Sequence, residues 1–244
     1  MKDKIINILK EKYNITDDLK NRVDQLLECI QDDNVFYNLN EILIWLDNKI
    51  DELDAEVKVV NFNDCEDWIS EKETGNIHHT TGGFFKIVGV ETKTNIRESG
   101  KGWIQPIIDQ GTESSIVGLI KKKFNGIPHY LIDAKFEPGN YGKIQLSPTL
   151  QCTYDNLNKV HNGRQPKYAE YFNGEKDVKV LFEHWYPEDG GRFYLKRVKN
   201  ILIETDLDIN VSNSHVWVTM FQLKQLLKQD NLVNAHLRSI LSYL

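Results

Sequence analysis

Residues 135–163 read KFEPGNYGKIQLSPTLQCTYDNLNKVHNG, and the reading of the whole chain turns on them. Amide and lysine side chains interrupt every apolar run, so the stretch lacks the period of a buried helix. Gly139 and Gly142 flank Asn140 and Tyr141, and the chain is expected to turn there. Gln145, Leu146 and Ser147 are expected to be extended, because the residue before Pro148 is driven out of the helical region. Alternation then places Gln145, Ser147, Thr149, Gln151 and Thr153 on one polar face, subject to any kink at Pro148. Such a face suits the wall of a polar-ligand pocket better than a core.

The flanking segments complete the class. Aromatic and β-branched content predicts strands at 82–90, 115–120, 130–134, 178–182 and 201–204. FNGIPHY, between two of them, is a turn carried by Asn125-Gly126 and Pro128. Residues 1–57 read as helical, with Val23, Leu26, Leu27 and Ile30 on one face and Ile42, Leu46, Ile50 and Leu53 on another. Asn38 with Glu41 is a capping-box signature, as is Thr219 with Gln222. Leu223, Leu226 and Leu227, then Val233, Leu237, Ile240, Leu241 and Leu244, form apolar stripes expected to be core. Strands gathered between terminal helices predict an α+β fold. The expected division is a helical arm over 1–57 and a body over 58–244.

Composition narrows the functional classes. The 244 residues carry 30 Lys and Arg against 36 Asp and Glu, a net charge of -6 that disfavours a nucleic-acid surface. No apolar run reaches the ~20 residues of a membrane span, and the N-terminus lacks a signal-peptide core. Cys29, Cys65 and Cys152 are unclustered, which fits neither a disulfide framework nor a zinc site. The expected compartment is the cytoplasm, without membrane or nucleic-acid partners.

Several motifs in order then resemble one family. AKFEPGN, QLSPTLQCT and VHNG are preceded by TGNIHHTTGGFFKIVGVE, WIQPIIDQ and GLIKKKFNGIPHYLIDAK. They are followed by PEDGGRFYLKRVKN and WVTMFQLKQLLKQDNLVNAHLRSIL. Over roughly residues 60–244 this is similar to the nucleotide-diphosphate-hexose 2,3-dehydratases. The resemblance implies a Nudix-like mixed sheet with flanking helices, but the metal-binding Nudix box has no counterpart: Arg97-Glu98 is the only adjacent Arg-Glu, and no Glu-Glu follows it. No metal and no cofactor are therefore expected, and metal-dependent hydrolysis is disfavoured. Family members carry the unit twice, and one copy here implies a homodimer, for which the spare apolar stripes of the helical arm are the expected contact. Gly83, Leu157 and Asp189 stand where the family has Arg, Tyr and Gln, and Ala235-His236-Leu237 where it has Met-Asp-Ala.

The resemblance implies a lyase acting on a nucleotide-linked 4-keto-6-deoxyhexose, with the thymidine sugar favoured. A ketone at carbon 4 acidifies the carbon-3 proton, the carbon-2 hydroxyl leaves, and the enol becomes a 3,4-diketo-2,6-dideoxy sugar. A base, an acid and donors to the enolate are needed, and no hydride carrier, in keeping with the lack of a GxGxxG or Walker sequence. His161, whose ordinary titration spans neutrality, and Glu137, beside a Pro-Gly turn, are the candidate proton carriers. Their plain alternatives are a loop-capping histidine and a carboxylate paired with Lys135 or Lys143. Asn140, Tyr141, Gln145, Thr149, Gln151 and Thr153 are candidate sugar contacts. Arg192, Lys196 and Arg197 are candidates for the diphosphate. Trp103, Gln105 and Gln110 are candidates for the base. A second reading is a catalytically silent nucleotide-sugar-binding or partner subunit.

Overall fold

The computed structural model describes residues 2–13, 19–34, 36–95, 102–157 and 165–244. Three helices lead: α1 (Lys2–Tyr13), α2 (Leu19–Ile30) and α3 (Leu39–Asp51). The capping box at α3 is present in full. Asn38 Oδ1 accepts from Glu41 N at 3.0 Å, and Glu41 Oε2 accepts from Asn38 N at 2.7 Å.

A four-stranded antiparallel sheet follows, in the order β1 (Trp68–Ser70), β2 (Ile77–His79), β3 (Lys86–Thr92), β4 (Trp103–Asp109). The larger sheet is mixed and has seven strands. Its elements are β5 (Glu113–Phe124), β6 (Ile127–Phe136), β7 (Ile144–Ser147), β8 (Leu150–Thr153), β9 (Lys179–Pro187), β10 (Arg197–Glu204) and β11 (His215–Thr219). The main path runs β11-β6-β5-β10-β9, with β5 and β10 parallel. Three short helices complete the described chain: α4 (Tyr154–Leu157), α5 (Met220–Leu226) and α6 (Ala235–Leu241). The expected α+β class is the observed one.

Asn125 and Gly126 close the β5–β6 hairpin, both with positive φ (52° and 81°), as a tight two-residue turn requires. Further on the two strands part, and β7 pairs with β6 while β8 pairs with β5. Thr149 sits at the fork. Its Oγ1 accepts from Ile120 N at 3.0 Å and donates to Leu131 O, satisfying main-chain groups that the parting strands no longer satisfy for each other.

One apolar cluster lies on each face of this sheet. Leu146 belongs to the larger cluster and Leu150 to the other, although both have even numbers. The chain therefore changes face at Pro148, and the polar alternation expected from Gln145 to Thr153 is divided there. Gln145 and Ser147 lie opposite Lys135 and Asp133 on β6, whereas Gln151 lies opposite Val117 of the larger cluster.

Helix α3 differs from the expected arm. Ile42 and Leu46 are 0% and 2% exposed inside the larger cluster, beside residues of α5 and α6. Burial of that extent is worth about 1.5–3 kcal/mol per side chain and joins α3 to the body. The α1–α2 pair has a small cluster of its own, Ile6, Val23 and Leu27. It is tied to the sheet by Glu28, which accepts from Lys121 Nζ at 2.8 Å and from Tyr130 Oη at 2.7 Å.

Candidate functional site

The small sheet meets the β9–β10 connection of the large sheet along a short seam. Ile108 and Phe193 form a parallel bridge, Ile108 N donates to Arg192 O, and Tyr194 N donates to Ile108 O, both at 2.8 Å. Beside the seam lies a cavity of about 710 Å³, lined among others by Trp103, Gln105 and Ile107 of β4 and by Glu188, Lys196 and Arg197 around the β9–β10 connection. Its walls combine an indole, a carboxylate and cations.

From Glu188 the polar groups run on into the body. His236 Nδ1 lies 3.8 Å from Glu188 Oε1, in the first turn of α6. Asn234 caps that helix, its Oδ1 accepting from Leu237 N at 2.8 Å. The same side chain donates through Nδ2 to Ser147 Oγ at 2.7 Å and to Gln151 Oε1 at 2.9 Å. Gln151 Nε2 in turn donates to Glu137 Oε1 at 3.0 Å. Four segments thus converge in one relay, hydrogen-bonded from Glu137 through Gln151 to Asn234 and continued at the same helix start by the His236–Glu188 pair.

Burial lowers the pKa of His236 below the ordinary histidine value. Glu188 and then Glu137 oppose this, while Lys196 and Lys135 reinforce it. Lys196 is likewise lowered by burial, against the pull of Glu188. At neutral pH the imidazole is therefore neutral, set among charges of both signs.

The residues expected to bind ligand are placed as follows. Trp103 Nε1 donates to Gln105 Oε1 at 3.1 Å, and Gln105 Nε2 donates to Gly191 O at 3.2 Å. The Gln105 amide is thereby spent on clamping β4 to the β9–β10 connection, and the indole remains as a cavity wall. Gln110 is half-buried just past β4 and is not part of that wall. Lys196 lines the cavity, with its Nζ 4.5 Å from the centre of the Phe193 ring. Arg197 pairs with Glu113 and lies over Trp185, and Arg192 pairs with Asp189 at 3.2 Å on the surface. Asn140 closes its own turn by donating to Lys135 O and Lys143 O, both at 3.2 Å, and Tyr141 is 78% exposed. Gln145 donates to Asn231 O at 2.8 Å, Thr149 is the buried fork residue, and Thr153 accepts from Asn156 N at 3.3 Å. Of the expected residues the structure gathers Glu137 and Gln151 in the relay and Trp103, Gln105, Lys196 and Arg197 around the cavity. His161 lies outside the described residues, as do Arg97 and Glu98. Among the described residues no cluster of three His, Cys, Asp or Glu side chains is placed to hold a metal ion, and no helix is long and apolar enough to cross a membrane.

The family model for NDP-hexose 2,3-dehydratase matches residues 39–244. The chain belongs to that family. A dTDP-4-dehydro-6-deoxy-alpha-D-glucopyranose 2,3-dehydratase of Saccharopolyspora spinosa is 37% identical over 202 residues, covering 83% of this chain and 41% of the relative. Its namesake from Amycolatopsis orientalis is 34% identical over 222 residues, covering 89% and 47%. That of Streptomyces violaceoruber is 38% identical over 182 residues, covering 74% and 40%. The chain thus spans less than half the length of these curated relatives. A solved structure of an ADP compounds hydrolase is similar at a TM-score of 0.40 and 10% identity, over 65% of this chain and 83% of that one.

The match begins at the start of α3, in keeping with the burial of that helix in the body. Within this 2,3-dehydratase family chain, Leu157 (Tyr in the usual pattern) is 5% exposed in the second apolar cluster, so its lack of a hydroxyl suits its surroundings. Asn234, His236 and Glu188 were not among the sequence candidates. The available signal was an Asn in N-cap position with a titratable side chain two residues on, but only the fold brings them to Glu137.

Proposed function

We propose that this chain eliminates the carbon-2 hydroxyl of a nucleotide-linked 4-keto-6-deoxyhexose, acting as a carbon–oxygen lyase on the thymidine-linked sugar named in its relatives. The observation that carries the reading is the continuity from a cation- and indole-lined cavity, through Glu188 and His236, to Glu137. The cavity has groups for a diphosphate and a flat base, and the relay has groups that move protons. Breaking the carbon-3 C–H bond gives an enolate. Its electron pair expels the carbon-2 oxygen, which leaves as water after taking a proton. Tautomerisation of the enol gives the 3,4-diketo-2,6-dideoxy product. Protons alone are moved, and no hydride is transferred. Glu137 supplies the proton to the leaving oxygen in this scheme, and His161 is a second candidate for proton transfer. Lys196 neutralises charge on the diphosphate.

Incubation with dTDP-4-keto-6-deoxyglucose and a trapping reagent for vicinal diketones is expected to show loss of one water by mass spectrometry. Intact substrate that nevertheless protects the protein against heat would favour the silent nucleotide-sugar-binding subunit instead.

Pairing of two copies in the cytoplasm belongs to the same proposal. It is supported by the apolar segment after α3, where Val57, Val59, Val60 and Phe62 are 48%, 101%, 49% and 41% exposed. The expected mass in solution is that of two chains, and a mass of one chain at micromolar concentration would remove the pairing.

A further inference from the structure

We propose that His236 is the base that takes the carbon-3 proton, held for that task by Glu188. This rests on the elimination proposed above and assigns one half of its proton traffic.

The geometry is that of an imidazole oriented by a carboxylate at one nitrogen. Glu188 Oε1 faces Nδ1 at 3.8 Å, ion-pair distance and slightly beyond a hydrogen bond, a looseness common in sites without substrate. A carboxylate there favours the tautomer with its proton on Nδ1 and leaves the Nε2 lone pair as acceptor. Among the described residues no group hydrogen-bonds Nε2. The side chain is 29% exposed, so it is reachable, and Glu188 beside it lines the cavity.

The charged groups acting on it come from two directions. Glu188 and Lys196 belong to the β9–β10 connection, and Glu137 and Lys135 to the end of β6. Burial dominates, so the ring is neutral at neutral pH, the form a base must have. Once His236 has taken the proton, Glu188 stabilises the imidazolium, joined by Glu137 after it has given its own proton to the leaving oxygen, which makes the charge change tolerable in a half-buried place. Glu137, linked through Gln151 and Asn234 to the same helix start, is left for the opposite task of protonating the leaving oxygen. Base and acid are then separate groups joined through the start of α6, Glu137 by the hydrogen bonds of Gln151 and Asn234 and His236 by its place two residues on.

The test compares the wild-type chain with His236→Gln and His236→Asp, using dTDP-4-keto-6-deoxyglucose in D2O. Three quantities are read: water loss, deuterium entry at carbon 3 of recovered substrate, and the pH profile of kcat/KM. Wild type is expected to show an acid limb below the ordinary histidine value of about 6.5. His236→Gln is expected to lose turnover and carbon-3 exchange by about 10²-fold or more, with dTDP affinity changed by less than about threefold. His236→Asp restores a basic group, so part of the activity is expected to return, its acid limb moved toward the carboxylate range of about 4. Turnover and exchange in His236→Gln within about threefold of wild type, or an unmoved limb in His236→Asp, overturn the role of His236 while the elimination stands. No water loss and no exchange by the wild-type chain overturn the elimination and this role together.

Discussion

Glu137→Gln is expected to bind dTDP as the wild type does and to lose turnover by about 10²–10⁴-fold, the span of a positioned proton carrier. The amide has the shape of the carboxylate. Its oxygen still accepts from Gln151 Nε2, which now meets Glu137 Oε1 at 3.0 Å, so the relay keeps its frame. What is removed is the ability to hold and release a proton at the end of β6. The nucleotide contacts proposed above lie elsewhere, at the cavity wall of Trp103 and Lys196. Calorimetry with dTDP and trapped-product mass spectrometry on the same preparation separate the two effects. Turnover within about threefold of wild type would dismiss Glu137 as the proton donor.

The second large effect is expected at Asn234, through stability as well as turnover. Its side chain is 7% exposed and makes three hydrogen bonds, to Leu237 N, Ser147 Oγ and Gln151 Oε1. Asn234→Ala removes an N-cap worth about 1 kcal/mol. It also strands one buried acceptor, Ser147 Oγ, at about 1–3 kcal/mol, and leaves the half-buried Gln151 Oε1 to water. A loss of about 2–4 kcal/mol is expected, a fall in Tm of roughly 5–15 °C for a chain of this size. Turnover should fall as well, because Gln151 and His236 lose the part that holds them together. Asn234→Asp discriminates between these roles. An aspartate caps a helix well, so the cap's share of the stability, about 1 kcal/mol, should return. It cannot donate to Ser147 and Gln151, so turnover should stay low. If Asn234→Asp matched wild type in both respects, the donor role would be wrong.

Local signals were legible wherever their cause lies within a few residues. The boxes at Asn38–Glu41 and Thr219–Gln222 each depend on two side chains three residues apart, and both formed as expected. The Asn125-Gly126 hairpin needs only two residues that accept positive φ. The stripes of α5 and α6 are buried as the helical period demands, with Leu223, Leu226, Leu237 and Ile240 all fully enclosed. The site was less legible. Gln145 and Gln151 look alike in a strand read by alternation, yet the change of face at Pro148 sends one to the Asn231 carbonyl and the other to Glu137. Thr149 reads as a pocket hydroxyl, and its use at the strand fork exists only once β5 and β6 part. The meeting of His236 with Glu188 depends on where α6 docks against the β9–β10 connection. No short-range rule contains that docking.

The seam at Ile108 and Phe193 has a mechanical consequence. The small sheet is fastened there by few main-chain hydrogen bonds, where the large sheet has two enclosed cores, so the small sheet is the softer of the two. A ligand touching both Trp103 and Lys196 would act as a splint across this joint. Part of its binding free energy would then appear as stiffness of β3 and β4 rather than as affinity, and the small sheet would grip hardest only when the cavity is filled.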